Sequence, residues 1–160
     1  MRIRPLEPSR PEEIELVAGR MRATLVEVLG ERTGAAMYTM DWLRRRVRQH
    51  LEGGAHVGQV FLAELDDGTI AGHAILRIDS DEAGGEIGLF STVYVAPDRR
   101  RQGIAAALLR AGESWMRERR LPRAMTYTAE TNRRLIRAFE AAGYAIALQS
   151  RQMVGLARTL

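Results

Sequence analysis

The chain has 160 residues, 46% of them hydrophobic and 28% charged, and carries a formal net charge of +4. That length supports one substantial core and not two, so a single domain over 1–160 is expected. No run approaches the ~20 apolar residues needed to span a membrane, and the basic start MRIRPLEPSRPEE meets proline and acid without the apolar region of a secretory signal.

Cysteine is absent and all 24 lysine-or-arginine positions are arginine. Disulfides, thiolate chemistry and lysine Schiff bases are therefore excluded, and the cytoplasm is the expected location. An inventory of arginine alone follows either from genomic composition or from a preference for anionic partners, which guanidinium groups match bidentately.

Met1 to Pro5 reads as a short strand with Ile3 inside. Ile14, Val17, Met21, Leu25 and Val28 recur at helical spacing and predict an amphipathic helix ending near Gly30, with Ser9 as cap, Pro11 in the first turn and Glu12 and Glu13 favourable to the dipole there. A second helix starts at Asp41, an acidic cap, and runs through Trp42, Leu43, Val47 and Leu51 to a stop at Gly53-Gly54. The period then changes to two. Gln59 to Leu65, the turn Asp66-Asp67-Gly68 and Thr69 to Ile78 form a hairpin.

After the loop DSDEAGG, a third run from Glu86 to Val95 leads into a helix whose inward face is Ile104, Leu108, Ala111 and Trp115. Pro122 breaks the chain, and Ala124 to Thr128 is a short strand. Asn132 to Ala142 is a helix buried through Leu135, Ile136 and Phe139 and capped by Gly143; Tyr144 to Gln149 and Gln152 to Leu156 close as a strand pair. The architecture expected is α/β, a mixed and mostly antiparallel sheet of about six to seven strands flanked by about four helices, with a parallel crossover after the central strand.

The junction after Val95 carries the chemistry. The chain reads Ala96-Pro97-Asp98-Arg99-Arg100-Arg101-Gln102-Gly103-Ile104-Ala105 as it leaves a strand and enters a helix. Unpaired N–H groups of a first helical turn point outward together, the dipole adds positive potential, and Gly103 and Ala105 are small enough to let a diphosphate reach the backbone. On their own, three arginines at a helix start equally describe a solvated surface, and Gly103 an ordinary packing glycine. Neither the Gly-Lys-Ser/Thr of a phosphate-loop nucleotidase nor G-x-G-x-x-G is present, so the anion is not expected to be ATP or NAD. His50, His56 and His73 are scattered and support no metal site.

Val95-Ala96-Pro97 with Arg100-Arg101-Gln102-Gly103-Ile104-Ala105, followed by Asn132-Arg133-Arg134-Leu135-Ile136-Arg137-Ala138-Phe139-Glu140-Ala141-Ala142-Gly143-Tyr144, resembles the GNAT superfamily of N-acetyltransferases. The family's signatures are V-x-P then Q/R-x-x-G-x-G/A, and N-x-x-A-x-x-F/Y-E-x-x-G-F/Y. The resemblance covers Glu86 to Tyr144, with Leu135 where alanine is common. It implies a GNAT-type acyl-CoA N-acyltransferase fold. The implied activity is transfer of an acetyl group from acetyl-CoA, as cosubstrate, to a primary amine of a small molecule or a peptide or protein amino terminus, by direct attack in a ternary complex. The competing reading is a catalytically silent acyl-CoA-binding regulatory module. The implied partners are acetyl-CoA and an amine acceptor, with a homodimer left open; neither a membrane nor nucleic acid is expected.

Site residues follow from the same resemblance. Backbone groups at Val93, Tyr94 and Val95 would face the pantetheine arm, amides of Arg100, Arg101, Gln102, Gly103, Ile104 and Ala105 would hold the diphosphate, and Asn132 would fall beside the pantetheine or sulfur. Arg99 and Arg101 reach either outer phosphates or solvent. The Val93 amide is the implied oxyanion donor. Many members place a general-acid tyrosine at the position of Phe139, which here can only line the cofactor; Tyr127 and Tyr144 are the substitutes for the acid. Glu86 is the candidate base, or else a solvated residue beside the Gly84-Gly85 loop, with His73 a weaker alternative. Alternation places Glu86, Gly88, Phe90, Thr92 and Tyr94 on one face unless a bulge slips it by one. Acceptor recognition is expected from the early helices and the span Gly30 to Asp41, with Tyr38 and Trp42 as aromatic candidates, while the run Arg44-Arg45-Arg46-Val47-Arg48 reads as a solvated face.

Overall fold

Strands that bury side chains on both faces need a helical layer on each side. The computed structural model, which describes residues 1–30, 39–51 and 54–160, shows that arrangement. In chain order the elements are β1 (Arg2–Pro5), α1 (Pro11–Leu29), α2 (Met40–Arg48), β2 (Gly58–Glu64), β3 (Ile70–Ser80), β4 (Glu86–Val95), a 3-10 turn (Pro97–Arg99), α3 (Ile104–Glu118), β5 (Arg123–Ala129), α4 (Arg133–Ala141), β6 (Ala145–Ser150) and β7 (Met153–Thr159). One seven-stranded sheet runs β1-β2-β3-β4-β5-β7-β6. Only β4 and β5 pair in parallel, joined by the crossover through α3.

One face of the sheet packs Leu76, Phe90 and Leu156 against Leu108, Leu109 and Met116 of α3 and Phe139 of α4. The other packs Val60, Leu62 and Ile75 against Ile14, Val17 and Ala18 of α1 and Leu43 and Val47 of α2. Each such side chain stabilises the fold by about 1.5–3 kcal/mol on burial. Close approach of α3 to β4 depends on Gly112, where an added Cβ would stand 2.4 Å from the Phe90 ring. Beside it Glu113, 1% exposed, ties α3 to the far side of the sheet. Its carboxylate accepts from the Tyr144 hydroxyl at 3.1 Å and from Arg158 Nη1 at 3.0 Å.

Two helix starts differ from the sequence expectation. Arg10 rather than Ser9 is the N-cap of α1 and makes no side-chain cap bond; Pro11, with φ already fixed for a helix, starts it instead. Thr39 rather than Asp41 caps α2, accepting the Trp42 N–H at 3.2 Å. That helix ends at Arg48, because His50 and Leu51 donate back three residues, to Val47 and Arg48, and tighten the chain into a turn. The Val28 side chain, Tyr38 and Gly53 lie outside the described residues. Among the described residues no helix is long and apolar enough to cross a membrane, and no group of three or more His, Cys, Asp or Glu could hold a metal.

Candidate active site

The site begins with one extra residue in β4. Leu76 pairs with Phe90 and Ile75 with Thr92, leaving Ser91 without a partner on β3. Its hydroxyl donates to the Ile75 carbonyl at 3.2 Å, which holds the bulge in place. The alternation therefore slips. Val93, opposite Ala74, and Val95, opposite Gly72, return to the α3 face with Phe90, while Tyr94, opposite His73, turns toward α1.

Past the bulge the sheet parts. β4 and β5 are paired only from Gly88–Ala124 to Phe90–Thr126, and beyond Phe90 no strand takes the β5 side of β4. The Ala96 N–H reaches the Ala71 carbonyl on the opposite side, so strand alternation turns the backbone of Val93 and Val95 into the gap. The Val95 carbonyl is met there by Arg100 Nε at 3.2 Å.

At the mouth of the gap stands the N-terminus of α3. Gly103, with φ +78°, is its N-cap, and Arg101 shares the left-handed conformation at φ +64°. The first α-helical bond there runs from Ala107 N–H to Gly103 C=O, so the amides of Ile104, Ala105 and Ala106 have no partner within the helix. Arg100, Arg101, Gly103, Ile104, Ala105 and Ala106 line one wall of a cleft of about 740 Å³; Asn132, Arg134 and Arg137 of the α4 start line the other. Asn132 is also the N-cap of α4, accepting from the Leu135 N–H and donating to Thr128 Oγ1 at 3.1 Å, so its side chain is held by the fold. Thr24 of α1 closes the cleft from the opposite face. One turn on, the Glu27 carboxylate lies 3.4 Å from Arg134 and 4.0 Å from Arg100.

These residues fit a long anionic ligand. Free amides at a helix start, a residue without Cβ and four guanidinium groups suit a diphosphate, and backbone groups in the sheet gap suit an amide-bearing arm.

On the α1 face the chemistry is different. His73 is fully buried, both ring nitrogens lack partners, and desolvation lowers its pKa to about 3, so it is neutral. It stacks on Tyr94 with ring centroids 5.3 Å apart. The Arg20 guanidinium lies 5.3 Å from the same Tyr94 ring. Arg20 Nη1 is buried without a partner, and desolvation pushes the group below its ordinary range.

Of the residues expected from sequence, Val93, Tyr94, Val95, Arg100, Arg101, Gly103, Ile104, Ala105 and Asn132 all border this cleft. Gln102 is exposed and its side chain is not on the wall. Phe139 does not line the cofactor cleft. It is 0% exposed in the core, edge-on to Phe90 and Tyr144.

Glu86 is not placed to act as base. It lies at the other end of β4 from Val93, about 20 Å away at ~3.3 Å per strand residue, and is exposed opposite Ser80. Tyr127 lies over Gly155 on β7, 43% exposed and away from the cleft wall. Burial, and after it the Glu113 carboxylate that its hydroxyl donates to, raises the Tyr144 pKa far above the range of a useful acid. His73 is too weakly basic to accept a proton near neutrality. Trp42 is 40% exposed on α2, and Arg44 pairs with Glu15 and Asp41 on the surface.

Sequence reading missed Thr24, Ala106, Arg134, Arg137 and Arg20. The one available signal was the Asn-Arg-Arg-Leu-Ile-Arg spacing, which sets two arginines three apart on one helix face.

A sheet opened beside its central strand, with a free helix start at the opening, defines an α/β domain with a cleft along the parted strands. The acetyltransferase (GNAT) family is matched over residues 24–144, and the chain belongs to that family. It is 30% identical over 146 residues to a mycothiol acetyltransferase of Thermobispora bispora, covering 90% of this chain and 46% of that protein. The chain thus spans less than half the length of that relative. It is also 34% identical over 100 residues to the aminoglycoside N(6')-acetyltransferase type 1 of Klebsiella aerogenes, covering 61% of this chain and 66% of that one.

Among solved structures, a GNAT-family acetyltransferase of Listeria monocytogenes aligns with a TM-score of 0.71 at 15% identity, covering 99% of this chain and 94% of that chain. A chain of the NatC complex bound to Gag peptide and CoA aligns at 0.69 with 16% identity, covering 99% and 98%. At these identities the shared property is the fold.

Proposed function

We propose that this chain transfers an acetyl group from acetyl-CoA to a primary amine of a small molecule or of a peptide or protein amino terminus, by direct attack in a ternary complex. The observation that carries the reading is the parting of β4 from β5 after Phe90–Thr126, with the free start of α3 at its mouth. Family membership and the acetyltransferase relatives support it.

In this reading the amides of Gly103, Ile104, Ala105 and Ala106 hold the diphosphate, assisted by Arg100, Arg101, Arg134 and Arg137. The backbone of Val93 and Val95 aligns the pantetheine arm. Bound acetyl-CoA supplies a thioester whose carbonyl carbon accepts the amine. The Val93 N–H faces that carbonyl and stabilises the negative charge that develops on its oxygen. As the carbon–nitrogen bond forms and the carbon–sulfur bond breaks, sulfur leaves as a thiolate, which a thiol pKa of roughly 8.5 permits without a general acid. Phe139 supplies none. The amine enters unprotonated, and its proton passes to solvent as the amide forms. A cytoplasmic location is part of the same proposal.

Calorimetric titration with acetyl-CoA, followed by a thiol-release assay across an amine panel, tests the reading. Saturable micromolar binding and amine-dependent thiol release are expected. Absence of binding overturns the cofactor assignment, and binding without release from any amine points to the catalytically silent module.

A further inference from the structure

On the α1 side of β4, both ring nitrogens of His73 and one guanidinium nitrogen of Arg20 are buried without a hydrogen-bond partner. Arg20 is held by α1 above the ring of Tyr94, a residue that also lines the cleft, and its Nη1 is buried without an acceptor. A buried guanidinium N–H without a partner is costly, and a bound ion, water or ligand group is what completes such a donor. The anionic residue bearing on Arg20 is Asp98, but that carboxylate is 80% exposed on the 3-10 turn, 3.9 Å from Arg99. His73, stacked on the Tyr94 ring, is neutral and supplies no countercharge. The α1 side of β4, next to the cleft-lining Tyr94, therefore presents a half-buried cation whose buried Nη1 has no acceptor.

We infer that Arg20 binds a carboxylate on the acceptor, so that the preferred amines carry an acid group, as free amino acids do, and polycationic amines are disfavoured. The inference rests on the acetyl-transfer reading for the identity of the reacting group, but the carboxylate site stands on Arg20 and Tyr94 alone. A carboxylate of the acceptor would accept from Arg20 in a bidentate pair. The Tyr94 ring lies 5.3 Å from the guanidinium and stacks on the buried His73. A second cation brought to the same place meets an unneutralised charge at low dielectric and is repelled.

The test is equilibrium binding of matched probes to the free and the CoA-loaded protein, using free L-amino acids, their α-carboxamides and neamine. The acids are expected to bind at least about tenfold more tightly than the carboxamides, in line with a charge-assisted bond, and neamine most weakly. Arg20→Gln should erase the preference by weakening the acids, and Arg20→Lys should restore part of it. Acids and carboxamides that bind alike, or that both fail to saturate, overturn the proposal, as does an Arg20→Gln loss that is equal for acid and amide. If Arg20→Gln does not fold, the comparison on the unmodified protein still decides. Loss of the acetyl-CoA reading shows separately as absent cofactor binding with the acid preference intact.

Discussion

Gly103 holds the left-handed N-cap of α3 with φ +78° and open space where a Cβ would go. Substitution there changes the backbone rather than the packing. A β-branched residue resists that conformation by about 1–2 kcal/mol, and relaxing it turns the following amides away from the cleft. Gly103→Val is accordingly expected to weaken acetyl-CoA binding by about tenfold or more while lowering the melting temperature by only about 2–8 °C, measured by calorimetry beside a thermal scan. Gly103 was legible in the sequence because the strand-to-helix junction and the glycine spacing are local. Arg20 was not. Its place over Tyr94 depends on where α1 crosses β4, and one arginine among 24 carries no mark of being buried. Phe139 was legible as a departure from the family pattern, but only packing against Phe90 and Tyr144 removes its ring from the cleft.

Among the elements, α3 joins the cofactor end of the molecule to the terminal strands. Glu113 accepts from Tyr144 beyond α4 and from Arg158 on β7, and Arg158 also donates to the Ala142 carbonyl at 3.1 Å. Removing the acid leaves the buried Tyr144 hydroxyl without its acceptor and takes the charged partner from Arg158, which keeps only the Ala142 carbonyl among the bonds described. Glu113→Ala is expected to destabilise the protein by about 3 kcal/mol, read as a lower urea midpoint, with Glu113→Gln recovering part of the loss. The run Glu86 to Val95 was read from sequence with the boundaries that β4 has, since alternating and β-branched residues mark a strand. Its bulge was not placed, because Ser91 has no conformational signature of its own. Glu86 failed as a base for a related reason: membership of the right strand says nothing about which end the cleft occupies.

Taken as a whole, the molecule buries two of its three histidines uncharged. His73 is depressed to about 3 and His50 to about 4, chiefly by desolvation, with Arg20 opposing protonation of the first and Arg46, Arg77 and His56 that of the second. Both are near 6.5 when unfolded. The unfolded chain therefore binds more protons below that value, and the stability present above pH ~6.5 is lost as pH falls toward the folded values, by about 1.4 kcal/mol per unit for each histidine. Glu13, held low chiefly by its bond to Arg4, adds a loss in the same direction below the usual carboxylate range. Melting temperatures should stay level from pH 7.5 to about 6.5 and then fall down to pH 4.5, and His73→Leu should flatten the slope; a melting temperature unchanged from pH 7 to 5 contradicts this.

The unpaired Ser91 has a consequence for how such a chain can vary. It acts as a phase shift within one strand: before it, every second residue floors the α3 core, and after it the complementary set does. Deleting one residue between Phe90 and Thr92 leaves composition and length almost untouched yet exchanges the two faces downstream. Tyr94 would then turn into the apolar layer, and Val93 and Val95 toward Arg20. The count of residues from Gly88 to Val95 is thus under tighter constraint than their identity, and an insertion that a surface loop absorbs would here invert the wall of the cleft.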